Sequence, residues 1–274
     1  MIIVCFLMIY PVLFVLGRSF MSDIERAARP LALFPKTVSI SAYEFIFMRG
    51  SYVRNAYMIT ISRTIIGSLS SLFFSSLFAY VLSRREYPLK TPLTLMVVFT
   101  MWFNGGLIPN FLLIKALGLN NNFLVYILPG LISAWNMLIL RNFFKSIPET
   151  LYESARIDGA NDWTIFLKIV LPLSTAALAT IGLFYAVSQW NAWFDAMMYN
   201  SSRKLWTMQL FLREIVRNAQ AMTLTDGSVL PEDMPPAESV QMATIVVTTV
   251  PILCLYPFLQ KYFVKGVMVG SLKG

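Results

Sequence analysis

Six separate apolar runs constrain the fold of this chain more than any other feature of its sequence. They cover roughly residues 1–17, 56–82, 91–110, 123–144, 165–190 and 241–262. Most approach the ~20 residues that a helix needs to cross about 30 Å of hydrocarbon. Only 13% of the residues are charged, whereas a soluble globular protein carries about 25%. The sequence therefore predicts an all-α polytopic membrane protein with about six transmembrane helices, which form a single domain over residues 1–274.

The distribution of basic residues indicates the orientation in the membrane. If both termini are cytoplasmic, the inner segments 83–90, 141–168 and 261–274 contain ten Lys and Arg residues in 50 positions, and the outer segments contain eleven in 100. Cytoplasmic loops are enriched in Lys and Arg, so this bias favours cytoplasmic termini. The same enrichment explains the net charge of +8 without nucleic acid as a partner. The first run has no basic residue before it and no small-residue cleavage site after it, which favours a trimmed span over a signal peptide.

Several absences in the sequence exclude whole classes of chemistry. There is no histidine, which excludes histidine acid-base catalysis and histidine metal sites. Cys5 and Cys254 lie inside apolar runs, where a zinc cluster is not expected. The G-x-x-x-x-G-K-[ST] pattern that cradles nucleotide phosphates does not occur. We predict that the chain is not an enzyme and binds no metal or cofactor, and that any ATP and Mg²⁺ are held by a separate ATPase subunit.

A short polar helix is predicted in the segment PETLYESARIDGANDWTIFLKIVLP, residues 148–172. Pro148 lacks an N–H and suits a first turn, and Glu149 complements the positive end of the helix dipole. Arg156 complements the negative end, and Gly159 adopts readily the left-handed conformation that closes a helix. A second helix is predicted to start directly afterwards, capped by one of two residues, Asn161 or Asp162. A helix of about ten residues spans only ~15 Å, so it is predicted to lie at the cytoplasmic face.

This segment resembles the EAA motif of ABC importer permeases. The matching residues are Glu153-Ser154-Ala155, Gly159, and Ile169-x-Leu171-Pro172, with Ser154 in place of the usual second alanine. The tail 262–274 is similar to the C-terminus of carbohydrate permeases of the maltose type. Residues 103–119 are similar to the subfamily that handles complex oligosaccharides and polysaccharides. An ordinary amphipathic helix on the lipid surface is the alternative, but such a helix favours Lys and Arg on its polar face.

The resemblance implies a coupling helix in the segment 146–162, which docks into a cleft of the ATPase and passes its closure to the membrane spans. The residues implied for coupling are Glu153, Ser154, Ala155, Asp158, Gly159, Ile169, Leu171 and Pro172. The resemblance also implies that the tail 264–274 contacts the ATPase through Lys265, Gly266 and Gly270. The implied partners are a second permease subunit, two ATPase subunits, an extracytoplasmic solute-binding protein and membrane lipid.

A candidate substrate path runs through aromatic and amide side chains, because sugars offer CH faces to rings and hydroxyls to amides. The candidates are Trp135, Asn136, Gln189, Trp190, Asn191 and Trp193. Gln189 and Trp193 are predicted to share one helix face at positions i and i+4. The equally weighted alternative is an aromatic belt at the membrane interface. For Arg63, snorkelling to the headgroups is favoured over a role in the path.

Taken together, these features predict a permease subunit of an ATP-driven importer of oligosaccharides or polysaccharides in the bacterial inner membrane. Alternating access would be driven by the separate ATPase subunits. An ion-coupled secondary transporter is the alternative function. Such a transporter typically needs carboxylates inside the membrane, and the predicted spans contain almost none.

Overall fold

The computed structural model describes residues 2–48, 50–224 and 238–254. In these residues the regular elements are helical, and an isolated bridge pairs Met21 with Val38. The helices are α1 (Ile2–Ser19), α2 (Asp23–Ala28), α3 (Ser41–Met48), α4 (Gly50–Ser83), α5 (Lys90–Trp102), α6 (Leu107–Ala116), α7 (Ala134–Lys145), α8 (Glu149–Ile157), α9 (Asp162–Leu173), α10 (Thr175–Asn191), α11 (Phe194–Tyr199), α12 (Met208–Leu224) and α13 (Glu238–Cys254). Short 3₁₀ turns cover Phe123–Tyr126 and Arg203–Leu205.

The apolar runs correspond to helices of very different continuity. Within the described residues, α4 alone is long and apolar enough to cross a membrane unbroken, with 32 residues from Tyr52 to Ser83. Two pairs pass the same test only together, α5 with α6 and α9 with α10, and they are bent by 117° and 84°. Helices α1 and α13 are apolar but shorter. The all-α membrane fold is therefore confirmed, whereas three of the predicted runs are interrupted.

The run 123–144 is not one helix, contrary to the prediction. Its helix, α7, begins only at Ala134, where the Ser133 hydroxyl accepts the N–H of Asn136 at 3.4 Å. The preceding residues include Pro129-Gly130, and proline removes a helix hydrogen bond while glycine adds backbone entropy. Asn136 therefore lies in the first turn of a short helix and not in the middle of a long span.

The run 91–110 is interrupted by a tight turn after α5. Gly106 has a φ of +85°, which glycine adopts without strain. The Asn104 side-chain oxygen accepts the Gly106 N–H at 2.9 Å and the Asn110 amide at 3.2 Å. These bonds fix the turn and orient the start of α6, so the chain reverses where hydropathy predicts a continuous helix.

The run 165–190 bends because of Pro172. The turn Phe166–Val170 is a π-helix, and the Leu171 N–H reaches back to the Phe166 carbonyl. Pro172 has no N–H, and in a regular helix its ring would clash with the carbonyl of Lys168. The wider turn relieves that clash. The helix then breaks at Ser174, and α10 leaves α9 at the 84° bend.

The described residues form two compact units. The first comprises 2–48 and 50–59 with 202–224 and 238–254, and the second comprises 60–201. The first has a core that includes Ile46 of α3, Leu212 of α12 and Ala243 of α13. The second has a core that unites α4, α7, α8, α9 and α10 around Phe166 and Leu140. The coupling motif and the candidate substrate path both lie in the second unit. The single domain over residues 1–274 stays a prediction.

Candidate coupling site

Helix α8 closes with a complete Schellman motif. The Ala160 N–H donates to the Ala155 carbonyl at 2.9 Å, and the Gly159 N–H donates to the Arg156 carbonyl at 3.0 Å. Gly159 has a φ of +80°, and a Cβ built on it would meet no atom within 4 Å. The requirement for glycine is therefore one of backbone conformation and not of space. The predicted left-handed glycine is confirmed.

The following helix is capped as the sequence predicts. The Asn161 side-chain oxygen accepts the Thr164 N–H at 2.8 Å, which decides between the two candidate caps in favour of Asn161. Pro148 precedes the first turn as the N-cap of α8 and does not occupy its first helical position. The segment 146–162 is thus a short helix, a fixed turn and a second helix start.

The N-terminal half of α8 is held by Arg84, which follows α4 directly. The Arg84 guanidinium carbon lies 3.9 Å from the centre of the Tyr152 ring. Its Nη2 lies 3.2 Å from Glu149 Oε1. The two groups are therefore close enough to form an ion pair, but their geometry does not make a hydrogen bond. Burial raises the pKa of the Tyr152 hydroxyl, so this ring stays neutral. These contacts fix α8 to the end of the longest spanning helix.

The C-terminal half of α8 is held by an exposed ion pair with the loop between α4 and α5. Arg156 Nη1 donates to both carboxylate oxygens of Glu86, at 3.0 and 2.8 Å, and Nη2 lies 3.6 Å from Asp162 Oδ1. The hydrogen bond to Glu86 raises the pKa of Arg156. An exposed pair contributes only about 0–1 kcal/mol, so this contact orients the helix more than it stabilises it.

The coupling residues divide between the two faces of α8. Glu153 and Ser154 are exposed, and so are Asp158 and Gly159. Ala155 is buried and packs into the core of its own chain. Its small side chain therefore allows α8 to approach that core closely, and it is not exposed to the ATPase that the resemblance implies. Ile157 is 86% exposed on this short helix. Ile157 is not among the residues that the motif predicts, although an apolar residue among polar neighbours is a signal in the sequence.

The second half of the motif connects α8 with the spans. Ile169 and Leu171 are partly buried against the same core as Ala155. Pro172 follows the π-helical turn and precedes the bend at Ser174. A displacement of α8 would therefore be transmitted through packed side chains to α9 and α10. The tail residues Lys265, Gly266 and Gly270 lie outside the described residues.

The candidate path residues are not gathered on one surface. Trp190 and Asn136 are buried, Trp193 is half-buried, and Trp135 and Asn191 are exposed. Gln189 and Trp193 do not share a helix face, because α10 ends at Asn191 and Ala192 is extended. The i, i+4 prediction is wrong, since it assumed that the helix continued past Asn191.

Gln189 belongs to a buried network around Arg63. Its side-chain oxygen accepts from Arg63 Nε and Nη2 at 3.1 and 3.0 Å, and its amide nitrogen donates to the Tyr126 carbonyl at 3.4 Å. Arg63 also forms an ion pair of 2.6 Å with Asp195, and its guanidinium lies 4.3 Å from the centre of the Tyr126 ring. Arg63 is 2% exposed, so the snorkelling prediction is wrong. An arginine inside an apolar helix requires a counter-ion, and that requirement was the missed signal.

Comparisons with known proteins find a matching family and similar chains over most of the sequence. The family model described as a binding-protein-dependent transport system inner membrane component matches residues 39–269. A polygalacturonan/rhamnogalacturonan transport system permease protein of Bacillus subtilis, YtcP, is 44% identical over 97% of this chain and 93% of its own length. Protein LplC of the same organism is 39% identical over 97% of this chain and 90% of its own length.

A solved structure has the same fold. It is the crystal structure of a bacterial ABC transporter involved in the import of the acidic polysaccharide alginate. One of its chains matches with a TM-score of 0.82 and 32% identity, over 95% of this chain and 92% of that chain.

Proposed function

Because the chain belongs to the family of inner membrane components of binding-protein-dependent transport systems, we propose that it is a permease subunit of an ATP-driven importer of oligosaccharides or polysaccharides. The relatives at 44% and 32% identity, named above for polygalacturonan/rhamnogalacturonan and for alginate, support a saccharide substrate. As the membrane component, the chain is not itself an enzyme. ATP and Mg²⁺ are bound by the partner ATPases, and this chain binds no cofactor.

The remaining features of the assembly belong to the same proposal. The chain pairs with a second permease subunit, and two ATPase subunits and one extracytoplasmic binding protein complete the transporter. It crosses the bacterial inner membrane several times, with α8 on the cytoplasmic side. The positive bias of the segments 83–90 and 141–168 supports that orientation. The tail 264–274 contacts the ATPase, as the resemblance implies.

One observation carries the coupling role. Glu153 and Ile157 on the outer face of α8 are exposed, while contacts with Arg84 and Glu86 hold the helix in place. Ile157 is 86% exposed at the end of a helix whose other face is buried. A single exposed apolar residue is common on protein surfaces, so the docking role depends on the place of Ile157 within the predicted coupling motif, on a helix held by Arg84 and Glu86. Glu153 is exposed and lies one helical turn before Ile157, so it adds a negative charge to the same surface. An ATPase cleft with a basic rim fits this surface.

The test is copurification of the ATPase with variants of this surface. Ile157→Asp should abolish ATPase recovery, because it places a charge in the centre of the docking face. Ile24→Asp is the matched control, since Ile24 is equally exposed, at 85%, on α2, and this variant should retain the ATPase. Glu153→Lys should weaken recovery more than Glu149→Lys, because Glu149 is engaged with Arg84. Equal recovery with Ile157→Asp and Ile24→Asp would refute docking through α8.

Uptake in energised vesicles separates this function from an ion-coupled transporter. ATP-driven uptake should continue when a protonophore collapses the ion gradient and stop when ATP is removed. The opposite pattern would identify a secondary transporter.

A further inference from the structure

A basic cleft lies beside the coupling helix, at the N-terminal end of α8. It has a volume of about 480 Å³ and is formed where α4 and α7 end and α5 and α8 begin. The cationic residues that line it are Arg84, Arg85, Lys90 and Lys145, and the one carboxylate is that of Glu149. We propose that this cleft binds the phosphate headgroup of an anionic phospholipid from the inner leaflet. Arg84, Glu149 and Tyr152, which fix the start of α8, line part of the cleft. Arg85, Lys90 and Lys145 have no part in the coupling contacts described above.

The charges of the cleft are only partly neutralised by the protein. Glu149 lies near Arg84 but satisfies a single cation, and the buried Arg84 Nε makes no hydrogen bond within the described residues. Lys90 Nζ donates to the Arg85 carbonyl at 2.7 Å, which leaves two of its three hydrogens for another acceptor. The cleft therefore carries an excess of positive charge that favours an anionic ligand.

Helix ends contribute to the field in the cleft in two ways. Lys145 lies in the last turn of α7, where the negative end of the helix dipole stabilises its positive charge. Lys90 is different, because it stands at the N-terminus of α5, where the helix dipole adds to its charge. No side chain caps that end of α5. Burial, together with the neighbouring Arg141 and Lys90, lowers the pKa of Lys145, as expected for crowded cations.

The surroundings of the cleft favour a lipid over a soluble anion. Leu89 directly precedes Lys90, Phe143 lies two residues before Lys145, and both side chains are large and exposed. Helix α5 continues from Lys90 with an apolar groove lined by Leu95, Phe99 and Trp102. A basic pocket at the cytoplasmic ends of apolar helices is the chemistry that recognises anionic lipid headgroups. Acyl chains would lie along the apolar side chains of α5.

The cleft includes Pro148, Glu149 and Tyr152 of the coupling segment. A headgroup bound there would compete with Glu149 for Arg84 and would contact the start of α8 directly. The lipid would thus connect the inner leaflet with the element that carries the ATPase. This step rests on the proposed function for the cytoplasmic placement of the cleft and for the docking of the ATPase on α8.

The experiment is a titration of the purified transporter with phosphatidylglycerol, read by native mass spectrometry. Phosphatidylcholine, which has the same phosphate without net charge, is the control lipid, and inorganic phosphate is added as a competitor. The wild type should bind phosphatidylglycerol more tightly than phosphatidylcholine. Lys90→Gln/Lys145→Gln should weaken this binding about fivefold per removed charge. Lys115→Gln/Lys204→Gln, which removes the same charge outside the cleft, should leave it unchanged.

Three outcomes would overturn the lipid proposal. Equal phosphatidylglycerol affinity in the two double variants would show that the cleft is not the site. Displacement of the lipid by inorganic phosphate at equal concentration would identify a soluble anion as the ligand. Loss of the ATPase from Lys90→Gln/Lys145→Gln with unchanged lipid binding would assign the cleft to an acidic side chain of the ATPase. Absence of the ATPase from the wild-type spectrum would instead contradict the proposed function, independently of the lipid.

Discussion

Gly159 combines a left-handed backbone with open space, and this combination makes its role testable at the scale of one residue. A non-glycine residue at a φ of +80° costs about 1–3 kcal/mol, and a β-branched residue costs the most. Gly159→Val should therefore unwind the Schellman closure and displace α8. We expect stimulated ATP hydrolysis and uptake to fall while the binding protein still docks. Gly159→Asn should be milder, because asparagine tolerates this conformation.

Gly118 provides a matched control for the Gly159 prediction. It has a φ of +68°, again with nothing within 4 Å of a built Cβ, but it follows α6. Gly118→Val imposes similar backbone strain away from the coupling segment, so coupled ATPase activity should persist in the protein that folds. If Gly159→Val transported normally, the fixed turn would have no part in coupling.

The ion pair between Arg63 and Asp195 leads to a prediction about stability. Arg63 Nη2 lies 2.6 Å from Asp195 Oδ2, and the two side chains are 2% and 27% exposed. Removing one partner of a buried ion pair costs about 3–5 kcal/mol of stability. Asp195→Leu should therefore lower the thermal unfolding midpoint of the extracted protein strongly. Arg63→Met/Asp195→Leu should recover part of the loss, because no charge is left buried and unpaired.

An exposed ion pair of equal length offers the control. Arg217 and Glu214 are also 2.6 Å apart, with exposures of 72% and 26%. Glu214→Leu should shift the midpoint little, because an exposed pair is worth about 0–1 kcal/mol. Similar shifts for Asp195→Leu and Glu214→Leu would mean that burial of Arg63 adds nothing to the energy of its pair.

At the scale of helices, the bend between α9 and α10 depends on Pro172. Pro172→Ala restores an N–H that can bond to the Lys168 carbonyl, so the π-helical turn should relax towards a regular helix. We expect ATPase recovery to be unchanged and stimulated ATP hydrolysis to fall, because α8 still docks but is misaligned with α10. Pro109→Ala is the control, since Pro109 lies in the first turn of α6, where its missing N–H has no helical partner. Full coupling in Pro172→Ala would contradict the role of the bend.

The same elements show how far the sequence determines the fold. The run 56–82 contains no proline and became the unbroken α4, and the polar segment around Gly159 was predicted because its caps are local signals. Hydropathy failed at Gly105-Gly106, Pro129-Gly130 and Pro172. A hydropathy average measures transfer into hydrocarbon. Helix continuity depends instead on backbone hydrogen bonds, which proline removes, and on helical backbone angles, which glycine readily leaves.

The candidate sites show the same division between local and distant information. The turn at Gly159 and the cap at Asn161 depend on neighbours in sequence and were predictable. The partners of Arg63 and Arg84 are set by packing, as Asp195 is 132 residues from Arg63 and Glu149 is 65 residues from Arg84. No periodicity reports such pairs. The sequence could say only that a buried arginine needs a counter-ion.

At the scale of the whole molecule, the substrate path must be open to different sides in different states of the transport cycle. Gln189 is a poor reporter of that path, because its side chain is bound to Arg63 and Tyr126. Asn191, at the end of α10, is exposed and free of that network. It is therefore the better position for testing the path reading against the aromatic belt.

Asn191→Cys should report alternating access in a Cys5→Ser/Cys254→Ser background, since both native cysteines are exposed. If Asn191 lines the path, its labelling by a water-soluble thiol reagent should change about tenfold between the resting transporter and one trapped with ATP and vanadate, which corresponds to a population shift of about 1.4 kcal/mol. Asn110→Cys, an equally exposed amide position on α6, should label at the same rate in both states. A belt residue in contact with lipid would resist the reagent in both states, and a constant rate at position 191 would remove it from the path. Such a result would leave the coupling role of α8 intact, because that role depends on the contacts of α8 with Arg84 and Glu86 and not on Asn191.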